Sequence, residues 1–225
     1  MNTALWTGVE NSLTLIARFQ AAQEKDQEMN ETLGPGSGFT ASHETGAGFL
    51  AMNREDIIIE PIQDAEEWSA CEIIRRNLQV YEEAGSVLAS TFRRLDAFHD
   101  IYTATGAQYL VAKDQVREGL CVGGVGVGPL QGLPPDEGVG EIRDLVLEEA
   151  YRGRGIGTRL LKRALEEARK LGYRRLYLET TPQMHNARQL FLRFGFRPVT
   201  VGGSGKVDQI ERLPCYFVLE DLSRS

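Results

Sequence analysis

The stretch "EIRDLVLEEAYRGRGIGTRLLKRALEEARKLG", residues 141–172, carries the clearest structural pattern in the chain. Its first part predicts a buried β-strand, whereas apolar residues recur at helical spacing after Gly155. Gly172 follows the last of these residues and is a suitable helix terminator. The stretch therefore predicts a strand that leads through a glycine-rich turn directly into an amphipathic helix.

The turn "RGRGIG", residues 152–157, predicts an anion-binding site. A helix that begins with glycines exposes unpaired N–H groups with no Cβ in the way, and the helix dipole favours negative charge there. Three arginines add positive charge to it: Arg152, Arg154 and Arg159. A Walker loop needs Lys-Ser or Lys-Thr after its last glycine, whereas this turn continues with Thr158-Arg159. A dinucleotide fingerprint needs a third glycine, whereas Leu160 occupies that position. The turn suits the phosphate of another ligand.

The rest of the chain divides near residue 54. Residues 1–54 form an N-terminal extension, with an amphipathic helix predicted over 10–30 and a linker rich in Gly, Ser and Thr. Residues 55–225 alternate strands and helices and then end in strands, which predicts an α/β domain with a mixed sheet. Two helices are expected before residue 103, and a hairpin is expected to turn at Glu118–Gly119.

Composition and charge exclude several classes of partner. The net charge of −7, from 25 basic and 32 acidic residues, argues against a surface that neutralises many phosphates of a nucleic acid. No apolar run approaches a membrane span, and the N-terminus lacks a secretory pattern, so a cytoplasmic protein without a membrane partner is expected. The three cysteines and three histidines are dispersed, which predicts no metal site.

The motif "RGRGIG" resembles the R/Q-x-x-G-x-G/A signature of the GCN5-related N-acetyltransferases (GNAT), in which this turn binds the pyrophosphate of acetyl-CoA. The strand before it and the stretch "GYRRLYLETTPQMHNARQLFLRFGFRPV" are similar to the family's fourth strand, fifth strand and last helix. The similarity is specific over 141–200, looser over 56–130, and absent from 1–55. It implies a mixed, mostly antiparallel β-sheet flanked by helices, and transfer of acetyl from acetyl-CoA to an amine.

By this resemblance, two segments hold acetyl-CoA as the co-substrate. Backbone groups of the fourth strand would bind the pantetheine arm: Leu145, Val146 and Leu147. The turn would bind the pyrophosphate: Arg152, Gly153, Gly155, Ile156, Gly157 and Thr158. Arg154 either reaches a phosphate or faces solvent. Asn186 and Arg188, at the start of the last helix, would line the pantetheine and nucleotide side, although Met184 stands where many members carry an asparagine.

The transfer needs a base, because only a neutral amine attacks a thioester. A lysine-like amine with a pKa of ~10.4 is neutral about once in 10³ molecules at pH 7, at a cost of about 4–5 kcal/mol. Glu179 ends the strand "RRLYLET", where similar N-terminal acetyltransferases carry a glutamate; the alternative is an exposed strand-end carboxylate. Glu141 and Asp144 are further candidates, and strict alternation predicts opposite faces for them. Arg143 shares the face of Glu141 and is a suitable ion-pair partner for it.

The sequence departs from the family at the proton donor for the leaving thiolate. Many members place a tyrosine in "A-x-x-L-Y-x-x-x-G-F", where this chain has Phe191. Tyr216 or His185 would then have to serve as the proton donor. The alternative for Tyr216 is a packing role in the core, and the alternative for His185 is a position on the surface. Unassisted release of the thiolate costs only about 2 kcal/mol at pH 7. Phe191 itself is expected to pack with Leu190 and Phe194.

The function expected from these features is an acyl-CoA-dependent N-acetyltransferase. Its acceptor would be the primary amine of a small molecule, an amino acid or a peptide N-terminus. The sequence leaves open whether another acyl-CoA is the donor and whether the protein forms a homodimer. Phe191 favours a second function from a different class, that of a non-catalytic acyl-CoA-binding sensor or interaction protein. The region expected to shape the acceptor site contains Asp96 and four arginines: Arg75, Arg76, Arg93 and Arg94. These arginines either meet a substrate carboxylate or form a solvated helix face.

Overall fold

The computed structural model describes residues 56–79, 86–130, 133, 137–199 and 215–222. The predicted N-terminal extension, residues 1–54, lies outside the described residues and stays a prediction. Among the described residues the strands are β1 (Ile57–Pro61), β2 (Gln108–Asp114), β3 (Leu120–Pro129), β4 (Val139–Leu147), β5 (Arg175–Thr180), β6 (Arg197–Val199) and β7 (Cys215–Leu219). The α-helices are α1 (Glu67–Gln79), α2 (Ser86–Asp96), α3 (Phe98–Thr103), α4 (Ile156–Lys170) and α5 (His185–Arg193).

The described strands form one sheet in the order β1-β2-β3-β4-β5-β7-β6. Only β4 and β5 are parallel neighbours in it, and every other pair is antiparallel. The parallel pair is joined through α4, as a crossover connection requires. The predicted mixed, mostly antiparallel sheet flanked by helices is therefore confirmed.

Each face of the sheet carries its own core. Helices α4 and α5 cover one face, where an apolar cluster includes Leu110, Leu160 and Leu178. Helices α1, α2 and α3 cover the other face, where a second cluster includes Ile74, Phe98 and Tyr109. In the second cluster Tyr109 packs edge to face with Phe98 and Tyr102, whose own rings are tilted, and the ring centroids lie 4.7–5.1 Å apart. We call these the α4 face and the α1–α3 face.

Helix α4 forms where the sequence predicts it. Its buried residues recur every three or four positions and point into the α4 face: Ile156, Leu160, Leu161, Ala164, Leu165 and Ala168. The helix ends at Lys170, and Gly172 takes a φ of 87° just after it, a left-handed conformation that glycine adopts without a Cβ clash.

The second predicted helix is two helices in the structure. Helix α2 ends at Asp96 and α3 begins at Phe98, because Ala97 leaves the helical conformation with φ −116° and ψ 24°. The break lets both Leu95 and Phe98 pack into the core of the α1–α3 face. The predicted hairpin turn is confirmed, with positive φ angles at Glu118 and Gly119.

Candidate active site

Strands β4 and β5 separate partway along their length. They pair in parallel from Val139–Arg175 to Ile142–Leu178, and no pairing between them continues beyond that point. Strand β4 runs on to Leu147, paired with β3 alone. Its backbone N–H and C=O groups over residues 143–147 therefore form a sheet edge that an extended, amide-containing ligand is able to join. The predicted pantetheine-binding residues lie on this edge: Leu145, Val146 and Leu147.

A β-bulge in β4 lies at the same place. Gly124 of β3 pairs with Val146 and Gly126 pairs with Arg143, so Asp144 and Leu145 together oppose one residue of β3. Asp144 takes a φ of 49°, a left-handed conformation that aspartate tolerates better than most residues. The bulge interrupts the alternation of side chains and turns Asp144 toward the α1–α3 face.

The prediction that Glu141 and Asp144 lie on opposite faces is therefore wrong. The carboxylate of Asp144 accepts hydrogen bonds from Arg94 at 2.8 Å and from the Tyr102 hydroxyl at 3.2 Å, and both donors belong to helices of the α1–α3 face. Glu141 lies on that face too, since it pairs with Arg143 at 2.7 Å. Both carboxylates point into one charged layer beneath α2 and α3.

Two arginines neutralise these two carboxylates. Arg94 pairs with Asp144, whose side chain is only 2% exposed, and Arg143 pairs with Glu141 and also donates to the Pro129 carbonyl. The predicted Arg143–Glu141 pair is confirmed, so Glu141 is occupied by a cation. This makes Glu141 a weaker candidate for the base.

The other acceptor-region residues take different positions. Arg75 pairs with Glu72 on α1, and the largely exposed Arg76 lies 3.2 Å from Glu148. Arg93 and Asp96 are exposed on α2. Of this predicted group, Arg94 is therefore the residue that reaches the charged layer of the α1–α3 face.

Glu179 lies on β5 just past the point where the strands separate, and it is half-buried. The pKa of its carboxyl is raised to about 7, mainly by burial and then by the charge of Glu141, while Arg94 acts to lower it. Among the described residues, no hydrogen bond or ion pair to the carboxylate is found. Glu179 is thus a carboxyl group that gains and loses its proton near neutral pH, beside the open edge of β4.

Two tyrosines flank Glu179 on the same face. Tyr216 of β7 stands directly opposite Glu179 across the strand pair, and its ring stacks on Tyr177 with centroids 5.8 Å apart and planes 24° apart. Tyr177 is two residues before Glu179 and is buried. The structure therefore brings together three of the residues that a reaction at this edge would use: Glu179, Tyr216 and Glu141.

The glycine turn has the conformation that an anion cradle needs. Gly153 and Gly155 take φ angles of 75° and 78°, which L side chains rarely adopt, and α4 begins at the next residue, Ile156. Thr158 is exposed in the first helical turn. The first N–H groups of α4 have no partners within the helix, so they are available to a phosphate.

The arginines of the turn serve different structural roles. Arg152 is exposed, and its guanidinium donates to the Leu147 carbonyl at 3.1 Å and to the Asn77 side chain of α1. Arg154 lies 5.8 Å from the centre of the Tyr151 ring. Arg152 thus ties the turn to the end of β4, and the two alternatives for Arg154 remain open.

The first turn of α5 lies next to the end of β5. Asn186 is exposed and Arg188 is half-buried. One guanidinium nitrogen of Arg188 lies 3.5 Å from the Pro182 carbonyl, while its buried Nε has no hydrogen-bond partner. The sulfur of Met184 accepts from the Thr180 hydroxyl at 3.4 Å. The role of Asn186 and Arg188 in binding CoA stays a prediction.

Phe191 is a packing residue, as predicted, and Leu190 and Phe194 belong to the same apolar cluster. It is buried on the α4 face, where its ring centroid lies 5.9 Å from that of Phe196 and 6.2 Å from that of Phe217. His185 is exposed at the start of α5. Tyr216 is therefore the better placed of the two substitutes for the family's tyrosine.

Sequence reasoning missed three features of the site: the bulge, the Arg94–Asp144 pair and Tyr177. The pair joins residues 50 positions apart, and no local pattern marks it. The hydroxyl of Tyr177 has no hydrogen-bond partner although it is buried. Strand alternation from Glu179 was the one available signal, because it places Tyr177 on the same face.

The site thus combines an open strand edge, a glycine turn at a helix N-terminus and a carboxyl group with a pKa of about 7. A family model described as the acetyltransferase (GNAT) family matches residues 69–196. The chain belongs to this family. The description of this family names acetyl transfer as the activity of its members.

Known relatives agree with this membership. An uncharacterised N-acetyltransferase of Escherichia coli is 35% identical over 116 residues, which cover 51% of this chain and 66% of that protein, slightly under two thirds. A candidate ribosomal protein bS18 alanine N-acetyltransferase of Bacillus subtilis is 28% identical over 53% of this chain and 73% of its own length. The structure of a candidate acetyltransferase from Salmonella typhimurium with acetyl-CoA has a TM-score of 0.56 at 20% identity, covering 76% and 96% of the two chains.

In the part of the chain that the structure describes, no helix has both the length and the apolar composition to cross a membrane.

Proposed function

We propose that the protein transfers acetyl from acetyl-CoA to the primary amine of a small molecule, an amino acid or a peptide N-terminus, by direct attack within a ternary complex. One of its relatives is named for acetylating an alanine of a ribosomal protein, which is an amine of this class. The observation that carries the proposal is Glu179, a half-buried carboxyl group with a pKa of about 7 beside the separated strands.

Glu179 has the properties of a general base for this reaction. Its pKa of about 7 lies close to neutral pH, where a base is both ionised and able to accept a proton. An α-amino group with a pKa of ~8 is far easier to deprotonate there than a lysine-like amine. In the step we propose, the ammonium gives one proton to Glu179 and the neutral nitrogen attacks the thioester carbonyl, forming a C–N bond and a tetrahedral intermediate. The C–S bond then breaks, the nitrogen loses its second proton to solvent, and the thiolate that leaves gains one proton.

The co-substrate is proposed to lie along the edge of β4. Backbone groups of Leu145, Val146 and Leu147 would pair with the amides of pantetheine, and the turn from Arg152 to Thr158 would hold the pyrophosphate. Asn186 and Arg188 would line the same side. This arrangement places the thioester near the bulge, where Glu179 reaches it from the neighbouring strand.

The proton for the leaving thiolate is proposed to come from Tyr216 or from solvent. Tyr216 stands opposite Glu179, on the face that the acceptor enters. Release without an acid costs about 2 kcal/mol at pH 7, since a thiol has a pKa near 8.5. Phe191, buried among other phenylalanines, takes no part in this step.

The test is CoA release from acetyl-CoA by the full chain with glycinamide, glycine, a dipeptide and n-propylamine. Glu179→Gln should lower kcat/KM by about 10²–10⁴-fold, the usual contribution of a general base. The wild-type kcat/KM should rise with pH and level off above the Glu179 pKa of about 7, and the variant should lose this inflection. The matched control is Glu118→Gln, an exposed carboxylate at the β2–β3 turn, which should retain the wild-type profile.

Acetyl-CoA binding is measured separately by thermal unfolding. Ligand at about 100 times its dissociation constant should add ~2.7 kcal/mol of stability. Binding without CoA release on any amine would contradict the proposal and favour the non-catalytic sensor. If acetyl-CoA has no effect on Tm but a longer acyl-CoA raises it, the acyl donor is other than proposed.

The cellular setting of the enzyme is also a proposal. The acidic net charge of −7 and the dispersed cysteines favour a cytoplasmic enzyme with an amine substrate and neither a nucleic-acid nor a membrane partner. Sedimentation of the full chain distinguishes a homodimer from a monomer.

A further inference from the structure

Tyr177 has a feature that the proposed reaction does not use. Its side chain is only 4% exposed, and its hydroxyl is sealed from solvent with no hydrogen-bond partner. Nearly all buried polar groups in proteins are hydrogen-bonded, and an unsatisfied one destabilises the fold. A phenylalanine would fill the same space without this cost, so the hydroxyl calls for a partner that the protein alone does not provide.

The surroundings of Tyr177 belong to the acceptor side of the site. Tyr177 pairs with Glu141 across β4–β5, precedes Glu179 by two residues, and stacks on Tyr216. Burial, followed by the charge of Glu179, holds its pKa well above the usual range of a tyrosine. The hydroxyl therefore stays protonated and remains a hydrogen-bond donor throughout the pH range of the reaction.

The chemistry of the neighbours narrows the missing partner to an atom of the acceptor. Glu141 is already paired with Arg143, and Glu179 is the group that receives the proton of the ammonium. The nitrogen's lone pair is needed for attack on the thioester, so it is not the acceptor for the Tyr177 hydroxyl. A second polar atom of the same molecule, able to accept a hydrogen bond, is required.

The spacing along β5 fits such a molecule. Residues two apart on a strand lie about 7 Å from each other on the same face. Because Tyr177 and Glu179 lie on one face of the strand, a small molecule with an amine and a nearby oxygen is able to place the nitrogen at Glu179 and the oxygen at Tyr177. An α-amino acid or a peptide N-terminus has this arrangement, with a carbonyl oxygen three bonds from the amine nitrogen.

We propose that the Tyr177 hydroxyl is a specificity-determining donor of the acceptor site, which binds the carbonyl or carboxylate oxygen next to the reacting amine and so selects α-amino acyl compounds over simple alkylamines. The inference rests on the proposed acetyl transfer and goes beyond it by naming the substrate class. In this proposal the groups that cover the Tyr177 hydroxyl move when the acceptor binds, so that Tyr177 contacts the substrate; it takes no part in moving the proton.

The test compares wild type with Tyr177→Phe on glycinamide and on n-propylamine, which lacks the oxygen. For glycinamide, KM should rise by roughly 2–13-fold, the equivalent of one net hydrogen bond, while kcat changes little. For n-propylamine, kcat/KM should stay the same. The change in the ratio of the two substrates is the readout, because the different basicities of the two amines cancel in it.

Thermal unfolding without substrate adds a measurement that does not depend on turnover. Tyr177→Phe removes an unsatisfied buried hydroxyl, so its Tm should equal or exceed that of wild type. The matched control is Tyr173→Phe: the Tyr173 hydroxyl donates to the Gly106 carbonyl at 2.6 Å, so this variant should have a lower Tm and unchanged amine selectivity.

Three results would overturn the inference. Equal losses on both amines would mean that the hydroxyl supports the site as a whole, and unchanged kinetics on both would mean that it contacts no substrate. A lower Tm for Tyr177→Phe, with selectivity intact, would reveal a structural partner. If the wild-type protein releases no CoA with any amine, the proposed function is contradicted. If it is active and Tyr177→Phe leaves its amine selectivity unchanged, only the inference about Tyr177 is contradicted.

Discussion

The two faces of the sheet bury different kinds of side chain. On the α4 face the buried cluster is apolar, with Leu110 and Leu160 among its members, and the buried carboxylate Asp114 beside it accepts a hydrogen bond from the Tyr151 hydroxyl. The α1–α3 face has an apolar cluster as well, but it also holds the Arg94–Asp144 pair and the half-buried Glu179. Charged groups cost free energy when they are buried, so their concentration on one face indicates where the chemistry takes place. The α4 face supplies stability, and the α1–α3 face gives up part of it for function.

The largest effect on stability is expected on the α4 face. Leu161 is fully buried in the middle of α4, so Leu161→Ala should lower the free energy of unfolding by about 2–5 kcal/mol through lost burial and a residual cavity. For a chain of this size, Tm should fall by roughly 4–20 °C. Chemical denaturation measures the change, and kcat/KM below the transition should stay near the wild-type value.

The control for this comparison is Lys162→Ala, an exposed neighbour on the same helix, which should change stability by less than about 0.5 kcal/mol. If Leu161→Ala left stability intact, or changed amine selectivity while the protein remained folded, the division of labour between the two faces would not hold.

Local sequence signals predicted much of the α4 face. The periodicity of α4 is visible without any knowledge of its neighbours, and Gly153 and Gly155 mark the turn where positive φ angles are found. Both features arise from residues close in the chain. That is why the helix boundaries and the left-handed glycines of the turn agree with the sequence prediction, whereas anion binding at the turn stays a prediction.

The α1–α3 face depends on contacts between distant residues and was predicted less well. The bulge at Asp144 arises from a mismatch in residue number between β3 and β4, which the period of two in a strand pattern does not reveal. The stacking of Tyr177 on Tyr216 depends on the pairing of β5 with β7. Glu179 was identified by family resemblance, whereas the burial that raises its pKa was not predictable from the sequence.

A smaller effect is expected in the glycine turn between β4 and α4. Gly155 has a φ of 78°, and an added Cβ would meet no atom within 4 Å, so the cost of Gly155→Ala is conformational and should be about 1–2 kcal/mol. Acetyl-CoA should also bind more weakly, because the cradle loses its backbone geometry. Urea unfolding with and without acetyl-CoA measures both effects.

Gly157→Ala is the control for Gly155→Ala, because it replaces a glycine of the same turn without forcing alanine into a left-handed conformation. Gly157 lies inside α4, where a Cβ would meet only the Leu190 side chain at 3.8 Å. Because alanine is the better helix former, Gly157→Ala should raise the stability of the ligand-free protein by up to about 1 kcal/mol. Equal stability losses for the two variants would argue against the left-handed turn as the cause.

The last prediction concerns the stability cost of Glu179 and sharpens the contrast between the faces. Its pKa is about 7 in the folded protein, against ~4.3 for an unfolded glutamate, so between these values the folded state binds more protons than the unfolded state. Stability should therefore fall as pH rises through this window and level off above pH 7. Glu179→Gln has no such charge, so its stability relative to wild type should increase from pH 4.5 to pH 8.

Urea unfolding of wild type, Glu179→Gln and the exposed control Glu118→Gln at these two pH values tests the sign. The control should lie within about 0.5 kcal/mol of wild type at both. If Glu179→Gln instead lost stability relative to wild type as pH rose, the carboxylate would be held by a favourable partner and would not be available as a base. The expected sign means that the fold keeps a destabilising ionisable group at the open strand edge, where an amine must give up its proton.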